Sequence, residues 1–300
     1  MAIAAPRSTP RRRAATGAGG GGPRYPAWLA LPALAYYGVF FLIPVGLMAA
    51  VALAERVGHV DFVYTLNWEN FTDLWDPLYR GIFLDTIRLA FTGTVATLAI
   101  GFPLAYYLAR HARRKTLLLL LIVIPFWTSF LIRTYAWLII LDPDFPVVRA
   151  LRAIRLVPQD FSVLYTPTAV YIGVVYTYLP LMILPVYAAL ERMDWSLVEA
   201  AQDLGDSSLR AFRRVTLPLA LPGIVAGSLL VFIPMMGEYL NPVILGGDKT
   251  IYLGNLIGLQ FGTSRDWPFG AAVAMVLVAS MTVVVLVYSR LAAREEQYGG

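Results

Sequence analysis

Six long apolar stretches separated by polar segments set the rhythm of this chain. They run at about Trp28–Leu53, Thr86–Ala109, Leu117–Leu141, Thr168–Leu190, Leu221–Val243 and Pro268–Ala292. Each is near the roughly 20 residues a helix needs to cross a bilayer core. The pattern predicts an all-α membrane protein with six transmembrane helices over residues 28–293. Ahead of them, residues 1–27 hold Arg11, Arg12, Arg13 and a glycine-rich run from Gly17 to Gly22. With no apolar periodicity, that stretch predicts a disordered basic tail beside anionic lipid. A short tail, 294–300, closes the chain. Ala50-Val51-Ala52 resembles a signal-peptidase site. The apolar run before it is longer than a signal-peptide core and five spans follow, so the first helix is read as uncleaved.

Composition agrees. Of 300 residues, 58% are hydrophobic and 14% charged, against about a quarter charged in soluble domains. Cysteine is absent and there are only two histidines, which excludes a disulfide framework, a cysteine nucleophile and a histidine-rich metal site. The +5 formal charge fits nucleic acid or basic cytoplasmic loops, and the loop distribution decides between them. One set of alternate loops and both termini carry fifteen Lys and Arg: Arg7 to Arg24, Arg110 to Lys115, Arg192 to Arg214, Arg290 and Arg294. The other set carries eight: Arg56, Arg80, Arg88, Arg149, Arg152, Arg155, Lys249 and Arg265. Arg133 lies inside the third span. Both termini are therefore expected in the cytoplasm of a cell-membrane protein, with no nucleic-acid partner.

The loop after the fourth span, about 191–219, contains VEAAQDLGDSSLRAFRRVTLP, Val198 to Pro218. On the orientation above it faces the cytoplasm. Ser196 and Glu199 have capping-box spacing. Leu197, Ala200, Ala201 and Leu204 then form one apolar stripe at helical spacing. Gly205 is placed to end that helix in the left-handed conformation. Asp206 or Ser207 can cap a second helix, with Leu209, Phe212 and Val215 on its apolar side. A short helix, a sharp turn and a second helix result. Physics alone leaves two readings open: a docking element, or a hairpin that only links two spans.

Glu199-Ala200-Ala201, Gly205 six residues after the Glu, Val215 and Leu217-Pro218 resemble the EAA loop of binding-protein-dependent ABC importer permeases, which usually have Ile where Val215 stands. The resemblance implies the type I importer permease fold with a coupling helix gripped by an ATPase subunit. It carries Glu199, Ala200, Ala201, Asp203, Gly205, Leu217 and Pro218 over as coupling residues. A wider resemblance covers Ile124 to Thr128, Leu131 to Tyr135, Tyr165 to Val170, Asp203 to Gly205 and Asp266 to Ala271, and points to the spermidine/putrescine permease branch. The implied partners are a second permease subunit, two ABC ATPases, an extracytoplasmic solute-binding protein and membrane lipid.

Ionisable groups inside a span are functional candidates, because unpaired charge in hydrocarbon is costly. Counted along straight helices at about 1.5 Å per residue, Arg133 and Glu238 sit some 25 Å from the inner boundary. Three readings stand: an Arg133–Glu238 ion pair, Glu238 as the attractor of a cationic amine, or one side chain snorkelling to the interface. Trp127, Tyr135, Tyr171, Tyr176, Tyr178 and Tyr239 lie in the same three spans. Their ring faces can attract an ammonium group, and interface packing explains such residues equally well. Pro180, Pro185 and Pro234 are candidate bending points or static kinks. Gly223, Gly227 and Ser228 suit close helix contact.

A phosphate-binding loop is missing: Gly246-Gly247-Asp248-Lys249-Thr250 lacks the glycine spacing. No catalytic constellation or metal cluster is visible in the sequence. The chain is therefore expected to be no enzyme and to hold no cofactor, with ATP hydrolysed by the partner. A stand-alone secondary transporter would need mid-membrane ion ligands or an inverted repeat, and neither is seen.

Overall fold

Long apolar helices fill most of the computed structural model, which describes residues 28, 31–58, 61–158 and 160–298. The basic tail expected over 1–27 lies outside the described residues. Helix α1 (Leu31–Ala52) carries one wide π-helical turn at Gly38–Leu42. Strands β1 (Glu55–Val57) and β2 (Asp61–Val63) pair antiparallel, Glu55 opposite Val63. Then follow α2 (Glu69–Asp73), α3 (Pro77–Arg110), α4 (Lys115–Trp127), α5 (Phe130–Ile140) and α6 (Pro146–Ala153). After these come α7 (Pro167–Glu191), α8 (Ser196–Asp203), α9 (Ser208–Met236), α10 (Leu253–Gly262) and α11 (Trp267–Tyr298). The chain divides after Gly46 into two units. In the first, residues 31–46 form an apolar helix with mostly exposed side chains.

The second unit, from Leu47 onward, is built on α3, α7 and α9, whose buried faces share Leu89, Val174, Met182, Ile183, Val231 and Met235. Lipid tails are as apolar as these side chains, so close packing rather than the hydrophobic effect holds such helices together. The predicted small residues do this work. A Cβ on Gly223 would lie 2.5 Å from that of Ala189, and one on Gly227 would lie 3.0 Å from Met182 Sδ. Helix α9 therefore meets α7 almost backbone to backbone.

Five of the described helices are long and apolar enough to cross a membrane, and α4 with α5 form a bent sixth. Helix α3 begins nine residues before the predicted Thr86. Asp76 caps it by accepting the Leu78 N–H at 2.9 Å, with Pro77 in the first turn. The charges that hid this start, Asp85 and Arg88, neutralise each other at 3.1 Å one turn apart. Helix α9 starts at Ser208, not Leu221, and ends at Met236, short of Val243. A π-helical turn at Phe212–Thr216 opens the ladder where Pro218 has no N–H to give. Pro180 and Pro185 sit within an unbroken α7. Helix α11 continues past the predicted Ala292 to Tyr298.

The third span is not one helix, contrary to the sequence expectation. It breaks at Thr128–Ser129, and α4 and α5 meet at 94°. Pro125 tightens the last turn of α4 to a 3₁₀ helix, and the Thr128 hydroxyl donates to Pro125 O at 2.6 Å. Thr128 then turns extended. The pair still traverses the bundle. Lys115, at the start of α4, pairs with Glu191 at the end of α7 at 2.9 Å. Trp137, Leu138 and Leu141, at the other end, pack on Ala169 in the first turn of α7, on Leu164 just before it, and on Leu245 in the turn Pro242–Gly246. Opposite ends of one antiparallel helix are touched, so this is a broken span and not a re-entrant loop.

Candidate functional site

Two places carry unusual chemistry: the α8–α9 hairpin at one end of the bundle, and the polar cluster where the third and fifth spans break. At the hairpin, Asp194 accepts the Ser196 N–H at 3.0 Å. Bonds from the Ser196 side chain and backbone hold the Asp194 carboxyl below the usual carboxylate range. Because Asp194 takes that amide first, the predicted Ser196–Glu199 capping box does not form, and Trp195 occupies the cap position. Gly205 does end the helix left-handed, with φ of 97°. Ser207 caps the next helix from the Arg210 N–H, and Asp206 pairs with Arg214 at 3.2 Å.

The predicted stripe is real but faces away from the protein. Val198, Met193 and Ala211 form the buried side, joined by Trp195, Ala201 and Val215. Of the stripe only Ala201 turns inward; Ala200 is exposed, and Leu204 is 90% exposed. Leu197 and Leu209 are exposed too. Val198 and Ala201, three apart, pack on the second helix, which pushes Leu197, Ala200 and Leu204 outward. Glu199, Asp203, Gly205, Leu217 and Pro218 are exposed around them. A soluble surface rarely leaves such a patch uncovered without a partner for it.

The hairpin is mounted on α3 through contacts the sequence reading missed. Trp195 meets Tyr106 edge-on at 5.6 Å, with the Arg110 guanidinium 5.0 Å over its ring. Phe212 meets Phe102 edge-on at 5.7 Å. The available signal was Phe102, Tyr106 and Arg110 at successive four-residue steps, one face of α3 at its end.

At the breaks, Glu238 is 4% exposed and lies two residues past α9. Its Oε2 accepts from the Tyr178 hydroxyl at 2.6 Å, and its Oε1 from the Asn241 N–H at 3.2 Å. Fully buried Asn241 in turn sits 3.4 Å from the Thr134 hydroxyl on α5. It fits there only because Gly173 has no side chain: a Cβ would lie 2.7 Å from Asn241 Oδ1. So α5, α7 and the end of α9 meet through one small network. Arg133 does not join it. No Arg133–Glu238 ion pair forms; the Arg133 guanidinium lies 5.3 Å over Phe126 and 5.7 Å over Phe130. The other rings are dispersed. Tyr176 meets Trp137 edge-on at 5.4 Å, Tyr171 lies 2.7 Å from the Thr92 hydroxyl, and Trp127, Tyr135 and Tyr239 are exposed.

At the end opposite the hairpin, a cleft of about 420 Å³ is lined by the paired Asp85 and Arg88 and by Asp248, Tyr171 and Tyr252. Burial, then Tyr171 and Asp85, push the Tyr252 phenol up to about 12, so it is a neutral donor at physiological pH. Among the described residues no group of His, Asp or Glu is arranged to hold a metal.

Residues 98–297, which include both places, match the family described as binding-protein-dependent transport system inner membrane component. The chain belongs to this family. The permease is 42% identical over 237 residues to the spermidine/putrescine transport system permease protein PotB of Escherichia coli (strain K12), covering 79% of this chain and 86% of that protein. It is 40% identical over 252 residues to the protein of the same name in Haemophilus influenzae, covering 84% and 88%. A crystal structure of a bacterial ABC transporter for alginate import matches the fold with a TM-score of 0.71 at 16% identity, over 89% of the permease and 96% of that chain. The expected importer permease fold is borne out.

Proposed function

We propose that this permease pairs with a second permease subunit, that two ATPase subunits dock on the hairpins, and that an extracytoplasmic solute-binding protein delivers a polyamine of the spermidine/putrescine class. The observation that carries the docking assignment is the outward apolar stripe Leu197, Ala200, Leu204 on the element that bears Glu199-Ala200-Ala201. The hairpin lies on the cytoplasmic side with both termini, as the Lys and Arg distribution supports. Coupling works through the mount: a push on α8 reaches α3 through Trp195 and Phe212. The sequence holds no phosphate-binding loop, so on this reading the ATPases supply the energy.

The relatives at 40–42% identity support the polyamine assignment, and so does the chemistry of the path. Asp248 puts a carboxylate in the cleft at the outer end, beside two phenols, while Asp85 there is paired with Arg88. Deeper, the exposed rings of Trp127, Tyr135 and Tyr239 offer faces to an ammonium group. In this conformation Glu238 and Tyr178 are spent on each other, so they hold the break in place instead of receiving an amine, and Arg133 flanks them. The test is uptake of labelled spermidine and putrescine by proteoliposomes holding the assembled transporter, with Glu199→Ala beside wild type. Uptake that needs ATP and vanishes in the folded variant is expected. Uptake by the permease alone, or polyamine-independent uptake of another solute, overturns the reading.

A further inference from the structure

Helix α6 breaks the charge rule that orients the rest of the chain. It lies between α5 and α7 at the end opposite the hairpin, the translocated side on the reading proposed above, on which the naming of the leaflet rests. Yet Arg149, Arg152 and Arg155 fall within seven residues there. Translocated loops are normally poor in arginine, so the cluster needs a counter-charge. Arg152 finds only a neutral acceptor in the chain, donating to the Phe161 carbonyl at 2.6 Å. Arg149 and Arg155 are exposed and make no ion pair.

The same helix leaves an apolar face open. Val147 is 58% exposed, and Ile154 and Leu156, one and three residues past the helix end at Ala153, are 69% and 70% exposed. Its position is fixed by the spans. Only Leu141–Phe145 separate α5 from α6, and they fold into a tight turn, with Asp142 O accepting the Phe145 N–H at 3.0 Å. The helix therefore starts at the end of a membrane-crossing segment and has no slack to leave it. Aromatic residues mark the same level: half-buried Trp137, one turn before the end of α5, and Tyr165, 53% exposed just before α7. Such rings concentrate where hydrocarbon gives way to headgroups.

An amphipathic helix with arginines beside an apolar face, tied to the end of a span, is the arrangement of a segment lying in the bilayer interface. We propose that α6 is an interfacial anchor, with Val147, Ile154 and Leu156 seated at the acyl boundary and Arg149 and Arg155 holding the phosphates of anionic phospholipid. The occupant is the membrane the flanking spans already cross. It would pin the end of the broken third span to the lipid surface while the rest of that span stays free to bend.

The chain lacks cysteine, so a single Ile154→Cys carries an environment-sensitive fluorophore cleanly. The assembled transporter is placed in nanodiscs of phosphatidylcholine alone or with phosphatidylglycerol. Quenching is read with headgroup-level spin-labelled lipid and with aqueous iodide. We expect lipid quenching to exceed iodide quenching, more so with phosphatidylglycerol. Arg149→Gln with Arg155→Gln should remove that lipid dependence, lowering the docked-to-free ratio about fivefold per arginine. Iodide quenching equal to that of a free probe in both compositions overturns the proposal. So does protection that appears only when the solute-binding protein is added, because the face then belongs to that protein. Labelling with a membrane-impermeant thiol reagent settles the side separately: reaction from the hairpin side sinks the orientation and leaves the lipid contact standing.

Discussion

The Tyr178–Glu238 contact can be tested most sharply. Tyr178→Phe deletes the hydroxyl that donates to Glu238 Oε2 at 2.6 Å. The carboxylate is 4% exposed and keeps one other donor, the Asn241 N–H at 3.2 Å. Hydrogen bonds to charged groups contribute about 1.5–3 kcal/mol net, and a partner left unsatisfied in a buried place loses that amount. Tyr178→Phe should therefore destabilise the permease by about 2–3 kcal/mol, roughly 4–12 °C in Tm on the scaling of larger domains. Glu238→Gln keeps the shape and can still accept from Tyr178, but it loses the charge and adds an amide donor. It should cost about 1–2 kcal/mol. In the Gln background the hydroxyl matters less, so the double variant should fall short of the sum by about 1 kcal/mol or more. The assay is thermal unfolding of the four proteins in detergent, with uptake measured in parallel. Additivity within about 0.5 kcal/mol would refute the bond as the link between α7 and the end of α9.

Leu204→Glu should leave the permease's stability within about 0.5 kcal/mol, since Leu204 is 90% exposed, and should abolish co-purification of the ATPase. Trp195→Ala should do the reverse in part: the exposed stripe survives, but losing the ring packed on Tyr106 and Arg110 should cost about 3 kcal/mol and uncouple ATP hydrolysis from uptake, read as ATPase activity without transport. Gly223→Val should cost about 1–3 kcal/mol or prevent assembly, measured by size-exclusion yield, because a Cβ alone already meets Ala189.

The spans were legible because lipid imposes a length and a composition that the chain must write out in full. The hairpin was legible because Gly205 and the cap at Ser207 are local chemistry. Which face of α8 is buried was not, since Leu197/Ala200/Leu204 and Val198/Ala201 are both apolar at helical spacing, and only the packing of Ala211 selects the second pair. Proline did not mark the break in the third span. Pro180, Pro185, Pro222 and Pro234 all sit inside continuous helices, whereas Pro125 is followed by hydroxyl residues that can satisfy the freed backbone. That break also defeated the depth count behind the Arg133–Glu238 pair. Rise per residue measures depth only along a straight helix, and a 94° bend lies before Arg133 while α9 stops before Glu238.

The same breaks say where movement has to occur if the hairpin is pushed. Helices α3, α7 and α9 touch through small residues and buried side chains, and the hairpin is fixed to α3 by aromatic contacts, so these parts move together. Helix α3 spans 34 residues, about 50 Å at about 1.5 Å per residue, and a tilt of about 5° carries its far end about 4 Å. No hydrogen bond survives a displacement of that size, so the network at the breaks must divide. Tyr178 and Glu238 both ride with the rigid helices and are 2.6 Å apart. Thr134, on α5, reaches Asn241 only at 3.4 Å, the longest bond in the network and the one by which α5 joins it. The seam should therefore open between α5 and Asn241. Spin labels on α5 and α7 in the assembled transporter should change separation when nucleotide binds, while labels on α3 and α7 should not. A fixed α5–α7 distance alongside a changing α3–α7 distance would place the hinge elsewhere.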